Sequence, residues 1–244
     1  MIASDPFDRL PLAGPDEIAA LAPIVVVAPH PDDETLGTGG LIALLRRQGL
    51  RVDVILVSDG AGSHPNSKVY PPARLAEMRR TELEAALRIL GVDPYRHLHA
   101  LGYPDTAVPG SGAERHGEAV GRLAELIGAL EPRTVLLPWR RDPHVDHRAT
   151  FEIVQAALAG TSIRYLEYPI WLRIRGTPED WPEGDELRGF GIDVRPVLEQ
   201  KRRAVMAHVS QTTALVDDAD EPFCLTEDVL ALLTGPDEVL LEPA

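Results

Sequence analysis

The chain has 244 residues, 44% hydrophobic and 25% charged, enough for one large domain with a substantial core or at most two small ones. Its formal net charge of −14, from 24 basic against 38 acidic side chains, argues against nucleic acid or an anionic membrane as the main partner. Cys224 is the sole cysteine, which excludes an intrachain disulfide and a cysteine-based zinc site. Met1 to Pro23 lacks a basic stretch followed by an apolar one, and no run approaches the roughly 18 apolar residues of a membrane span, so a cytoplasmic location is the expectation.

In chain order, residues 1–23 read as an irregular lead-in with a short helix over Pro15–Leu21. Ile24–Ala28 is an apolar run long enough for a buried strand and too short for a helix. It runs into His30-Pro-Asp-Asp-Glu34, where Pro29 and Pro31 prevent the strand from continuing and hold these residues on a stiff loop. A helix follows at Leu41–Gln48, closed by Gly49, then a strand at Val52–Val57 ending in Ser58-Asp59-Gly60. Pro72–Leu90 has a helical apolar stripe stopped by Gly91. The spacing further predicts a strand over Arg96–Leu101, a helix over Glu114–Leu130, a strand over Thr134–Pro138, a helix over Arg148–Ala159 and a strand over Ile163–Tyr168. Residues 169–194 break the pattern and read as a surface insertion or small hairpin. Pro196–His208 is helical, and the 212–244 tail, expected to pack on the same 24–211 domain, holds a helix at Glu227–Leu233 and a strand at Glu238–Leu241.

This alternation predicts an α/β fold with a doubly wound, mostly parallel, Rossmann-like sheet flanked by helices. In the order 3-2-1-4-5 the first and fourth strands are neighbours, and the crevice at their carboxyl ends is the ligand-binding switch point. Both polar motifs of the chain, His30-Pro-Asp-Asp-Glu34 and Trp139-Arg-Arg-Asp-Pro-His-Val-Asp-His147, end those two strands. Crowding three carboxylates beside an imidazole is costly unless a cation neutralises them, and imidazole with carboxylate suits zinc. Gly37-Thr-Gly-Gly40 lacks the spacing of a dinucleotide fingerprint, and helix–strand packing explains it better. Asp142-Pro-His-Val-Asp-His147 differs from the metallo-β-lactamase loop, since Asp142 stands where the first histidine would be.

His30-Pro-Asp-Asp-Glu34 joined to His144-Val-Asp-His147 resembles the PIG-L or LmbE-like zinc-dependent N-deacetylases, from the first strand to about Gln211. The resemblance implies one zinc ion per chain, or another divalent transition metal, held by His30, Asp33 and His147. It implies Asp32 as general base, His144 as oxyanion stabiliser and acid, and Asp146 as the residue that holds the ring of His144. Arg79 matches a family arginine that contacts the substrate sugar, and Asp105 resembles the acid that binds sugar hydroxyls. Arg140 and Arg141 are expected either to meet an anionic part of the substrate or to pair locally with Asp142 or Glu131. Glu34 reads as a carboxylate that steadies the loop, and Asp59 as a support at the end of the second strand. Lys201 and His208-Val-Ser-Gln211 match a C-terminal family pattern without a derivable role; His64, His97, His99 and His116 read as structural or surface residues.

The implied reaction is removal of an acetyl group from an N-acetyl amino sugar or sugar conjugate. An amidase acting on a larger acyl or thiol conjugate, and a catalytically silent sugar-binding module, are the competing readings. Intact Asp32 and His144 speak against the last, since a binding module needs neither base nor acid.

Overall fold

The computed structural model describes residues 5–243, so the first four residues of the expected lead-in and the last of the tail lie outside it. In chain order the elements are α1 (Pro15–Ala19), β1 (Ile24–Ala28), α2 (Asp33–Arg47), β2 (Val52–Ser58), α3 (Pro72–Leu90), α4 (Pro94–His97), β3 (Leu98–Tyr103), α5 (His116–Leu130), β4 (Thr134–Pro138), α6 (Val145–Leu158), β5 (Arg164–Tyr168), α7 (Leu172–Arg175), β6 (Gly189–Asp193), α8 (Leu198–Met206), α9 (Val209–Thr212), α10 (Glu227–Leu233) and β7 (Asp237–Leu241).

The seven strands form one mixed sheet in the order β3-β2-β1-β4-β5-β7-β6. β1 to β5 are mutually parallel in the expected order 3-2-1-4-5, and β7 pairs antiparallel with both β5 and β6. The 169–194 segment is therefore not a self-contained hairpin. Its strand β6 finds its partner in the C-terminal β7, a pairing that no local spacing reveals.

Because helices cover both faces, β1, β2 and β4 are buried along their whole length. The side chains of β1 alternate between two cores. Ile24 and Val26 meet the layer of α2, α3 and α8, while Val25 and Val27 meet α5 and α6. β1 sends its chain to one side of the sheet and β4 to the other, so a crevice opens above their carboxyl ends.

Helix α2 begins at Asp33, eight residues before the expected start, so Asp33 and Glu34 occupy its first turn and not a loop. The acids suit that end of the helix dipole. Three glycines inside α2 would ordinarily weaken it, and tertiary packing explains them. A Cβ on Gly37 would lie 2.5 Å from Tyr168 Cδ2, and one on Gly40 would lie 2.3 Å from Val194 Cγ1. At Gly40 the backbone N–H donates to Glu238 Oε1 at 2.6 Å, and the Glu238 carboxylate in turn pairs with buried Lys201, whose Nζ donates to Leu36 O. Gly40→Ala should therefore cost about 1–3 kcal/mol through overpacking. Denaturant titration checks this, and an unchanged midpoint would mean that Val194 yields freely.

Candidate active site

The loop from Pro29 to Asp32 and the start of α2 carry the first half of the site. Asp32 sits at φ 150°. For a residue with a Cβ this conformation costs on the order of 1–3 kcal/mol, and such strain gathers at functional positions. It sends the Asp32 and Asp33 carboxylates in different directions. Asp33 turns inward, where its Oδ2 accepts the His30 backbone N–H at 2.9 Å. Asp32 lines the cavity, with Oδ2 3.2 Å from Arg79 Nη2.

The second half comes from the β4–α6 junction. His144 precedes α6, and Asp146 and His147 lie in its first turn. The rings of His30, His144 and His147 gather with centroids 4.6, 5.4 and 5.1 Å apart. Asp33 Oδ2 stands between two of them, 3.2 Å from His30 Nδ1 and 3.2 Å from His147 Nε2. Ligand atoms of His30, His144 and His147 also lie within 4.8 Å of one another, as do those of His30, Asp105 and Asp146.

These residues fit a metal ion on the state of His147. The ring is fully buried, and neither nitrogen makes a well-aligned hydrogen bond, although Asp33 Oδ2 and Asp142 Oδ1 stand 3.2 and 3.3 Å away. A buried imidazole aimed at a carboxylate without bonding it is poised for a cation that both can ligate.

The electrostatics follow from that crowding. Burial raises the Asp32 carboxyl to about 7, opposed by Arg79 and reinforced by Asp33. Burial likewise raises Glu34 to about 8. Burial alone would lower His147, but Asp33 and then Asp142 carry it up to about 9. His144 behaves oppositely: burial, then the positive charge of His30 and His147, lowers it to about 4.

The structure departs from the sequence expectation for Asp146. Its carboxylate does not hold His144. Oδ2 accepts the Thr106 N–H at 2.7 Å and lies 3.1 Å from His30 Nε2, while Oδ1 faces the Val108 N–H at 3.3 Å. Only the Asp146 backbone N–H reaches His144, donating to Nδ1 at 3.2 Å. With Nδ1 accepting, the neutral ring carries its proton on Nε2.

Asp105 and Arg79 both line the cavity, of about 370 Å³. Asp105 Oδ1 is 3.2 Å from His30 Nε2, and Oδ2 accepts the Gly62 N–H at 2.9 Å. Arg79 is buried and spends donors on Gly60 O and Pro31 O, each at 2.9 Å, so it braces the loops that form the wall. Asp59 does similar work, with Oδ1 accepting from Ala61 N and Asp105 N. Arg140 and Arg141 do not line the cavity. They stack over Trp139 and are paired with Glu167 and Glu186, not with Asp142 or Glu131.

Sequence reasoning missed Asp142. Its Oδ1 accepts the His144 N–H at 3.0 Å and faces His147, while Oδ2 accepts the Trp171 N–H at 3.0 Å. One buried carboxylate thus ties the histidine cluster to Trp171 in the cavity wall. Its place at the head of the second motif was the available signal. The C-terminal pattern also acquires positions: His208 Nε2 is 3.4 Å from Thr35 Oγ1, Ser210 caps the Glu82 carboxylate, and Gln211 reaches the cavity. His64, His97 and His116 are engaged with Phe223 O, Asp53 and Pro109 O respectively, and His99 Nε2 is 3.6 Å from Asp53.

A family model described as PIG-L, GlcNAc-PI de-N-acetylase, matches residues 25–158. The 1D-myo-inositol 2-acetamido-2-deoxy-alpha-D-glucopyranoside deacetylase of Actinosynnema mirum is 29% identical over 80% of this chain and 83% of its own. The diacetylchitobiose deacetylase of Thermococcus kodakarensis is also 29% identical, over 83% of this chain and 75% of its own. Among solved structures, a conserved protein of Thermus thermophilus superposes with a TM-score of 0.65 at 25% identity, covering 91% of this chain and 94% of that one.

Proposed function

The chain belongs to the PIG-L family of GlcNAc-PI de-N-acetylases, and from that membership we propose that it removes the acetyl group from an N-acetylated amino sugar or sugar conjugate, using one zinc ion held by His30, Asp33 and His147. As a family member it is an N-deacetylase, a hydrolase of amide bonds. The observation that carries the assignment is the Asp33 carboxylate set 3.2 Å from each of two buried imidazoles, with the strained Asp32 beside it in an open cavity. Asp33 is favoured over His144 as third ligand because a carboxylate offsets the charge of a dication, and because His144 Nδ1 is already occupied.

A divalent ion such as zinc would supply the Lewis acidity that acidifies water and polarises the amide carbonyl. The protein supplies the proton path. Asp32 takes a proton from the attacking water as the new C–O bond forms, and its carboxyl, raised towards neutrality by burial, can return that proton to the nitrogen as the C–N bond breaks. His144 is the neutral partner and not the acid: its Nε2–H is the donor for the developing oxyanion. Acetate and the free amine are the products. Asp105 and Thr106, on the cavity wall, would meet sugar hydroxyls.

The test is metal analysis combined with acetate detection. Purified protein should carry about one zinc per chain and release acetate from at least one member of a panel of N-acetylglucosamine compounds, free and conjugated. A chelator should abolish the release, and added zinc should restore it. Zinc-loaded protein that yields no acetate from any member would refute the reading.

A further inference from the structure

Part of the cavity wall is built from the start of α7 and the segment before α10. Trp171 and Phe223 meet there edge to face with centroids 6.1 Å apart, and the Arg175 guanidinium lies 4.5 Å from the centre of the Trp171 ring. All three line the same cavity as Asp32 and His144. Among the described residues Arg175 has no carboxylate partner within ion-pair distance, whereas its neighbour Arg173 pairs with Asp5, and Arg140 and Arg141 pair with glutamates. In a chain with 38 acidic side chains against 24 basic ones, an uncommitted cation at the cavity mouth calls for a reason.

The shelf is also fixed relative to the reacting centre. Asp142 Oδ2 accepts the backbone N–H of Trp171, and its Oδ1 faces His147. The Arg175 N–H in turn donates to Trp171 O at 2.8 Å. Stacking on the indole occupies the guanidinium face and leaves its edge donors free, in the planar fork that matches a carboxylate or phosphate. The aromatic faces beside it suit the apolar face of a ring.

We propose that Arg175, seated on Trp171, is the specificity-determining residue for a substrate whose sugar-linked group carries a carboxylate or phosphate. This rests on the deacetylase reading above and adds the class of conjugate. The acetamide enters towards Asp32 and His144, and the linked group extends along Trp171 and Phe223 until its anion meets Arg175.

The test uses zinc-loaded, full-length protein and three matched N-acetylglucosaminides bearing 4-carbamoylphenyl, 4-carboxyphenyl or 4-phosphophenyl groups. The wild type should favour one or both anionic glycosides over the carbamoyl one in kcat/KM by about fivefold to tenfold. Arg175→Gln should collapse that ratio, with the change in KM and not kcat, and Arg175→Lys should restore part of it. A preference confined to one anion identifies which of the two is recognised. No preference in the wild type, or equal losses on all three glycosides in Arg175→Gln, overturns the proposal. If none of the three is hydrolysed, calorimetric binding of the same compounds decides. Tighter anion binding that Arg175→Gln abolishes upholds Arg175 while the acetate panel above decides the deacetylase reading separately, and binding without an anionic preference overturns the proposal.

Discussion

Asp32→Asn should leave zinc content unchanged and lower kcat by about 10²–10⁴-fold, the usual worth of a positioned general base. The substitution keeps the shape of the side chain and its tolerance of unusual φ, so the strained backbone at φ 150° is preserved. Arg79 loses its nearer charged partner, but Asp105 at 4.0 Å, Gly60 O and Pro31 O still hold it, and the wall of the cavity should stand. The pH profile gives a second check. A base must be ionised to act, so kcat/KM rises with pH through its pKa. Burial, opposed by Arg79 and reinforced by Asp33, sets Asp32 near 7 in the metal-free protein, and a dication alongside favours the carboxylate, so with the proposed zinc bound the acid limb should fall below 7. Metal analysis, kcat and the profile are read together. Metal-replete Asp32→Asn within tenfold of wild type would show that another group takes the proton.

Much of this site is legible in the sequence because its two halves end adjacent parallel strands. The β–α alternation predicts a doubly wound sheet, and the common order of such sheets, which β1 to β5 follow, brings His30 and His147 to one crevice. What stays hidden depends on contacts between distant segments. The expected helix starts only at Leu41, beyond Gly37, Gly39 and Gly40, yet Tyr168, Val194 and the Lys201–Glu238 pair are packed against that stretch, as the helix–strand reading of these glycines implies, and helix α2 runs through it. Lys201 thus has a place that its local sequence could not supply. The partner of β6 lies more than forty residues away in β7, beyond the reach of periodicity. The contacts of Asp142 and Asp146 stay hidden for a shared reason. Spacing places a carboxylate near a ring, but the direction it faces follows from which backbone N–H groups remain unpaired nearby. Thr106 and Val108 claim the Asp146 carboxylate, and His144 and Trp171 claim that of Asp142. Arg140 and Arg141 are drawn to Glu167 and Glu186 on the same principle, and recognition of an anion passes to Arg175, which has no motif at all.

His147→Ala should lose both bound zinc and activity, whereas His144→Gln should keep zinc and lose activity. The contrast separates two arrangements that distance alone permits, since His144 also lies within ligand reach of His30 and His147. If Asp33 completes the triad, removing His147 leaves two protein ligands, and affinity should fall by well over the roughly 10–100-fold that loss of a merely supporting residue costs. If His144 were the third ligand, both variants would lose metal alike, and the Asp33 assignment would fail. The protons add an independent signature. Without metal, Asp33 and Asp142 hold a proton on His147 up to about pH 9, and a ligand nitrogen must give up its proton to bind. Apparent zinc affinity should therefore climb steadily between pH 6.5 and that value, by about tenfold per unit for each proton displaced. Competition against a chelator of known affinity across this range measures the slope. A flat dependence would mean that His147 is already neutral in the metal-free protein, and that Asp33 and Asp142 do not hold the charge that the zinc ion replaces.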